Sequence, residues 1–144
     1  NDLDTINTRL DCVVELLQRE EMLVDLQRVL PAFAECDRVL RHFMQKSTLT
    51  GWAKAQASIA SVLHLKQLLR TAPAIAAAVC ENGEAPSENE LLKAVQGNLT
   101  APELHDMEQK IAGVIEDDAC YDKRTSQRLL QCLFAIMPGT NKLL

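Results

Sequence analysis

The stretch from residue 6 to residue 17 constrains the fold more than any other part of the chain. Ile6, Leu10, Val13 and Leu17 are spaced by four, three and four residues, which places them on one face of an α-helix. The opposite face repeats the same spacing with polar side chains, which are Asp4, Thr8, Asp11, Glu15 and Gln18. The pattern predicts an amphipathic helix whose apolar face packs against elements from later in the chain.

The composition extends this prediction to the whole chain. Of the 144 residues, 47% are hydrophobic but only 3% are aromatic, so the core must consist mainly of Leu, Ala, Val and Ile. Such a core suits packed helices better than a sheet, which favours β-branched and aromatic residues. Five glycines and five prolines are also few for an all-β fold with many turns. We therefore predict an all-α, multi-helix domain of a size typical for one domain.

Helical spacing continues through the first half of the sequence. A second helix is expected after Glu20-Glu21, with a break or kink at Pro31, because proline disrupts a helix interior. A third is predicted from residue 33 to residue 44, followed by a polar connector and a long helix over residues 52–69. Pro73 fits the first turn of a separate alanine-rich helix. His64 and Lys66 fall on or near the solvent side of the long helix.

The second half begins with a predicted loop over residues 81–86. Ser87 to Glu90 matches a capping box before a short helix that ends at Gly97, and Thr100 to Glu103 matches a second capping box. The helix that follows ends in Glu116-Asp117-Asp118, where the helix dipole disfavours negative charge. Such a local conflict often marks a turn or a docking point.

The last apolar run, residues 129–137, fits a buried strand or a short helix equally well by its period. The fold prediction therefore includes the possibility of one short extended segment near residues 131–137. Pro138-Gly139 predicts a turn, after which Thr140 or Asn141 would cap the next helix.

The sequence argues against several functions for these residues. A net charge of -5 is unsuited to a nucleic-acid groove, and the five cysteines do not stand at metal-ligand spacing with one another or with the histidines. There is no Gly-rich phosphate loop, no secretion signal and no apolar run of membrane length. We predict a segment that is not an enzyme, binds no cofactor or metal and has no contact with a membrane.

Four stretches resemble one protein family. Ile6-Asn7-Thr8-Arg9-Leu10-Asp11-Cys12-Val13-Val14-Glu15-Leu16-Leu17 is similar to the start of the core (lever) domain of MutS-family proteins. Residues 112–121, with Val114-Ile115-Glu116-Asp117-Asp118-Ala119, resemble the meiosis-specific branch formed by the fourth eukaryotic MutS homologues. Residues 134–144 resemble that branch where its chain enters the long clamp helix, and residues 53–69 resemble its middle helix. The resemblance implies that residues 1–144 are a fragment of a longer protein. This fragment corresponds to the lever domain and ends where the clamp helix begins.

The resemblance implies the function of a whole protein. It would be a nuclear DNA-binding ATPase that pairs with the fifth eukaryotic MutS homologue, encircles branched recombination intermediates and promotes meiotic crossovers. ATP and magnesium would bind in a domain outside these residues, and the segment itself would be a helical lever. Without the resemblance, the leading alternative is a helical adaptor that binds a partner protein through an apolar groove.

Four residues are candidates for contacts between elements of such a lever. Arg9 and Asp11 flank the apolar stripe and could hold a polar contact, although solvated helix charges explain them equally well. Leu10 belongs to the stripe itself, and Asn141 lies at the predicted start of the next helix.

Overall fold

The computed structural model describes residues 2–45, 48–80, 89–120 and 134–139. In these ranges the chain forms α1 (Leu3–Gln18), α2 (Glu20–Val29), a 3-10 turn (Leu30–Phe33), α3 (Cys36–Met44), α4 (Gly51–Cys80), α5 (Glu90–Leu99) and α6 (Pro102–Ala112). The predicted all-α fold class is confirmed. Ile115 and Ile136 form one antiparallel bridge, so the short extended segment is found at Ile136. The rest of the ambiguous run, residues 129–133, lies outside the described residues.

The chain divides into two compact units. Unit 1 comprises residues 1–33 and 71–104, and unit 2 comprises residues 34–70 and 105–144. Each unit contains its own apolar cluster. The cluster of unit 1 consists of Cys12, Met22, Leu26, Ile75, Ala78, Val79 and Leu92. The cluster of unit 2 consists of Leu63, Ile115 and Ala135, with Ile59, Val62, Ile111, Ala119 and Ile136 packed against it.

In unit 1, α1 packs against α2 and α5, which confirms that its neighbours come from later in the chain. The predicted face is wrong. Cys12 is buried and Leu16 is half-buried against the cluster, whereas Leu10 is 58% exposed and Leu17 is 65% exposed. The rest of the stripe is exposed as well. Glu15 of α1 is half-buried and forms an ion pair with Arg19, with 3.6 Å between Oε1 of Glu15 and Nη2 of Arg19.

Two prolines have different effects. Pro31 interrupts the helical pattern as predicted, since α2 ends at Val29 and a 3-10 turn separates it from α3. Pro73 lies inside α4, which runs without a break from Gly51 to Cys80 and corrects the prediction of two helices. Ala72, Ile75 and Ala76 are all buried around Pro73. Their packing holds the helix together where proline removes one main-chain hydrogen bond.

The predicted solvent side of α4 is also wrong. His64 is 6% exposed and Lys66 is 1% exposed, so both are buried in unit 2. Leu63 and Leu69 are buried as well. Helix α4 is covered over most of its circumference between residues 60 and 69.

The two helix starts differ from the predicted capping boxes. Asn89 caps α5, because its Oδ1 accepts hydrogen bonds from the backbone N–H groups of Leu91 (2.9 Å) and Leu92 (3.4 Å). Thr100 ends α5 instead of starting α6, and its hydroxyl donates to the carbonyl of Gln96 at 2.9 Å. Helix α5 therefore continues past Gly97 to Leu99. The predicted loop at residues 81–86 and the capping residue Ser87 lie outside the described residues.

Candidate functional site

The best-formed polar site in the described part of the chain is centred on Lys66 of α4. Its Nζ donates hydrogen bonds to the backbone carbonyls of Glu116 (2.6 Å) and Asp117 (3.2 Å), and it lies 3.9 Å from Oδ1 of Asp117. These acceptors belong to the turn after α6, 50 and 51 residues later in the sequence. Because two of the contacts are to main-chain atoms, Lys66 fixes the path of the backbone there.

Arg70 extends this contact by one helical turn. Its Nη2 donates to Oδ1 of Asp117 at 2.6 Å, and its Nε lies 3.6 Å from Oε1 of Glu108 on α6. Lys66 and Arg70 are four residues apart and share one face of α4. We call the group formed by Lys66, Arg70, Glu108, Glu116 and Asp117 the lysine node.

Apolar and backbone contacts attach a third segment to the lysine node. Leu63, one turn before Lys66, packs in the cluster that contains Ile115 and Ala135. The N–H of Glu116 donates to the carbonyl of Ala135 at 2.8 Å, and the N–H of Met137 donates to the carbonyl of Val114 at 2.9 Å. The node therefore joins residues 63–70 of α4, residues 113–117 and residues 134–139, all of which belong to unit 2.

The positive charge of Lys66 is destabilised by burial and partly compensated by nearby carboxylates. Burial lowers the pKa of the ammonium group, and the nearby guanidinium of Arg70 lowers it further. The carboxylates of Asp117 and Asp118 oppose this by favouring the charged form. A buried cation is tolerated when carbonyl and carboxylate oxygens replace its lost water. This arrangement suits a structural contact, since the ammonium group is held by two main-chain carbonyls and a carboxylate of the turn after α6.

The lysine node resolves the conflict noted in the sequence. Glu116-Asp117-Asp118 places three acidic residues near the carbonyl end of a helix, where their charge is unfavourable. In the structure α6 has already ended at Ala112, and Lys66 and Arg70 provide positive charge from another helix. The sequence indicates a turn or a docking point at these acidic residues, and the structure shows both, whereas the predicted solvent exposure of Lys66 is wrong. A lysine flanked by Leu63, Leu65, Leu68 and Leu69 was the signal for burial.

The predicted inter-element residues have separate positions. Arg9 and Asp11 are exposed on α1, and no ion pair or hydrogen bond of their side chains to another described residue is seen. Asp11 borders a shallow depression in unit 1, where Asn89 Nδ2 donates to the carbonyl of Thr8 at 3.2 Å. Sequence reasoning missed that link between α5 and α1. Leu10 is exposed and Asn141 lies outside the described residues, so the contacts of all four candidates stay predictions.

Other chemistry is limited in the described ranges. No group of three or more His, Cys, Asp or Glu side chains there is placed to hold a metal ion. None of the helices described combines the length and hydropathy that a bilayer span requires. Cys12, Cys36, Cys80 and Cys120 are free thiols. Burial is the main cause that raises the pKa of Cys12 and Cys36, which makes both poor nucleophiles.

Three curated proteins are similar to the chain over almost its whole length. MutS protein homolog 4 of Homo sapiens is 33% identical over 143 residues, which are 99% of this chain. MutS protein homolog 4 of Mus musculus is 31% identical over the same share, and DNA mismatch repair protein MSH4 of Arabidopsis thaliana is 33% identical over 96% of the chain. The chain belongs to the MutS family. The resemblance to the branch of fourth homologues is confirmed.

The chain spans only a small part of each MutS relative, namely 15%, 14% and 18% of the human, mouse and Arabidopsis proteins. No family model and no solved structure matches the chain. Two of the stretches that resemble the family meet at the lysine node. Lys66 lies in the stretch similar to the middle helix, and Glu116 and Asp117 lie in the Ile-Glu-Asp-Asp segment.

Proposed function

We propose that these residues are a lever segment of a meiotic MutS-type DNA-binding ATPase, and that the lysine node passes motion through unit 2. The observation that carries the proposal is the attachment of α4 to residues 134–139 through the turn at residues 113–117. Residues 134–139 are the first part of the stretch that resembles the entry into the clamp helix. A displacement of α4 near Lys66 would therefore reach the base of the clamp.

The type of contact supports this role. Lys66 binds main-chain carbonyls from a buried position, Arg70 adds a charge-assisted hydrogen bond, and Ala135 is fully buried beside them. Packed interfaces of this kind adopt discrete arrangements and deform little between them. Such a unit transmits a displacement and does not absorb it.

The function of the whole protein is part of the proposal. Its relatives carry the names MutS homolog and DNA mismatch repair protein, which supports DNA as the substrate. We infer a nuclear protein that binds branched recombination intermediates as a heterodimer with the fifth eukaryotic MutS homologue and promotes crossovers. ATP and magnesium would be bound in a domain outside these residues, and the lever segment itself would catalyse nothing.

The test is a Lys66→Met variant of the intact protein, assembled with its partner subunit. Methionine keeps the length of the side chain and removes the charge and both hydrogen bonds. We expect nucleotide-free binding to a branched DNA to be unchanged, while the ATP-dependent retention of the complex on a closed DNA circle falls about tenfold, a typical coupling effect. Retention is measured by comparing circular DNA with the same DNA after linearisation.

Lys110→Met is the matched control, because Lys110 is an exposed lysine of α6 in the same unit. Complexes that contain the Lys110→Met variant should stay on circular DNA as long as complexes of the unchanged protein do. Wild-type retention by a Lys66→Met complex that is folded and bound to DNA would contradict the lever role of the lysine node.

The adaptor alternative is favoured by one observation, the exposed apolar stripe of α1. Leu10, Val13 and Leu17 project from a helix whose other face is packed in unit 1. If this stripe binds the partner subunit, a Leu10→Glu, Leu17→Glu double variant should fold and yet fail to co-elute with the partner. Normal co-elution would exclude the stripe as the subunit contact.

A further inference from the structure

Unit 2 contains a cleft of about 750 Å³ on a side of α4 that does not belong to the lysine node. The cleft lies between α3 and the first part of α4. Its lining residues are Arg38, Val39, Arg41, His42, Gln45, Ala53, Gln56, Ala57, Ala60, Ser61 and His64. Its volume lies within the usual range of ligand-binding sites.

The ionisable side chains among the described lining residues are all basic. These residues include two arginines, two histidines and two glutamines, and none of those described carries a carboxylate, although the chain as a whole has a net charge of -5. The guanidinium of Arg41 is positioned by a hydrogen bond from its Nε to the carbonyl of Asp37 at 3.3 Å. Arg38 forms an ion pair with Glu35 and is still more than half exposed. The α3 side of the cleft is therefore complementary to negative charge.

The α4 side of the cleft has small side chains. Ala53, Ala57 and Ala60 follow one another at helical spacing, and Ser61 lies beside them. Side chains of this size allow the backbone of another helix to approach closely, near the short end of the usual 8–10 Å between helix axes. A cleft with a small apolar floor and a cationic edge matches a helix with both an apolar and an acidic face.

We infer that this cleft binds an acidic amphipathic helix of a separate polypeptide. The small apolar side chains of the bound helix lie on Ala53, Ala57 and Ala60, and the carboxylates of the bound helix pair with Arg38 and Arg41. The charge complementarity of the cleft selects this occupant.

Nucleic acid fits the same surface less well. Duplex binding depends on many phosphate contacts, typically about 6 to 10, and the described lining of the cleft provides two arginines. None of these described lining residues is Phe, Tyr or Trp, the side chains on which single strands stack. The helix proposal is also independent of the lever role, because Lys66 takes no part in the cleft.

The experiment measures binding of a fluorescein-labelled peptide of 18 residues to the intact protein by fluorescence anisotropy. The peptide has Glu on one helical face and Ala and Leu on the other, and a second peptide replaces each Glu with Gln. We expect the Glu peptide to bind and the Gln peptide to bind at least about tenfold more weakly, as expected for loss of charge-assisted hydrogen bonds.

Two variants locate the binding to the cleft. An Arg38→Gln, Arg41→Gln double variant should weaken binding of the Glu peptide about tenfold or more. A Lys54→Gln, Lys110→Gln double variant makes the same charge change outside the cleft and should bind as the unchanged protein does. Ala57→Leu adds bulk to the floor and should weaken both peptides, whereas the arginine variant affects mainly the Glu peptide.

Three results would overturn the inference. The intact protein could fail to bind the Glu peptide, as it would if another part of the same protein fills the cleft. The arginine and lysine double variants could lose affinity equally, which would indicate a nonspecific charge effect. Finally, a 30-base-pair duplex could displace the peptide with the same dependence on Arg38 and Arg41, which would assign the cleft to DNA.

Discussion

Two helical regions depart in opposite ways from the rule that apolar side chains are buried and charged ones are exposed. They are α1 in unit 1 and residues 63–70 of α4 in unit 2. Helix α1 exposes most of its large apolar side chains and packs through the narrow side that contains Cys12 and Leu16. Residues 63–70 of α4 place a lysine among leucines in the interior. In α1, a prediction from side-chain polarity buries apolar residues that are exposed. In α4, the same reasoning exposes Lys66, which is buried.

The comparison shows what a helical period can establish. The spacing of Ile6, Leu10, Val13 and Leu17 correctly shows that these side chains share a face, but it cannot show whether a neighbour covers that face. Conversely, Lys66 can be buried because acceptors from a distant turn are placed to receive its hydrogen bonds. Coverage depends on tertiary partners, and no local pattern encodes their positions.

The largest predicted effect is a difference in the free energy of unfolding between substitutions at two leucines, Leu63 and Leu10. Each lies in a helix among apolar residues. Leu63→Ala should reduce the free energy of unfolding by about 3 kcal/mol, because Leu63 is 1% exposed and its loss leaves a cavity. Leu10→Ala should change it by less than about 0.5 kcal/mol, as for other exposed positions. Urea denaturation followed by circular dichroism measures both. A cost at Leu10 equal to that at Leu63 would mean that the α1 stripe is covered in solution.

The next effect tests whether the buried lysine contributes to stability. Lys66→Met should reduce the free energy of unfolding by about 2 kcal/mol, because the carbonyls of Glu116 and Asp117 lose their donor while the aliphatic part of the side chain is kept. Lys110→Met, on the surface of α6, should stay within about 0.5 kcal/mol. The same urea titration serves for both variants. A Lys66→Met protein as stable as the unchanged one would show that desolvation of the ammonium cancels its hydrogen bonds.

Much of the fold could be predicted from the sequence. The all-α class and the break at Pro31 follow from composition and proline chemistry. The period of residues 129–137 left a strand and a helix equally open, and the bridge at Ile136 supports the extended alternative at that residue. Pro73 was misjudged because the packing of its neighbours outweighs the local cost of proline within α4. Asn89 was missed as a cap because Ser87, two residues earlier, offers the same chemistry.

Only the acidic part of the lysine node could be predicted from the sequence. The acidic residues 116–118 indicate a turn or a docking point, because their charge conflicts with a helix end. Their partners could not be found, since Lys66 and Arg70 lie about 50 residues away in the sequence. The leucines around Lys66 indicate that it is buried, but they do not indicate which residues it contacts. The deciding information was the position of the turn relative to α4.

A smaller effect is expected at Asn89, where a polar side chain joins two helices of unit 1. Asn89→Ala should cost about 1 kcal/mol, the typical value for the loss of an N-cap. Asn89→Asp keeps an oxygen that can cap α5 and removes the donor to the carbonyl of Thr8. It should therefore recover most of that loss, as measured by thermal or urea unfolding. Equal costs for the two variants would assign the stabilisation to the contact with α1 and not to the cap.

The smallest predicted effect is the pH dependence that Lys66 brings to unit 2. Its pKa in the folded protein is lowered, chiefly by burial, from an ordinary value of 10.5. Between the lowered pKa and 10.5, the unfolded chain binds more protons at this side chain than the folded protein does, so the free energy of unfolding rises with pH through that window. Other groups titrate in the same range, and subtracting the values of the Lys66→Met variant at each pH removes their contribution. The stability advantage of the unchanged protein over this variant should therefore grow as the pH approaches 10.5. An advantage that shrinks instead would mean that the Glu116 and Asp117 oxygens raise the pKa of Lys66, and that its burial is more than compensated.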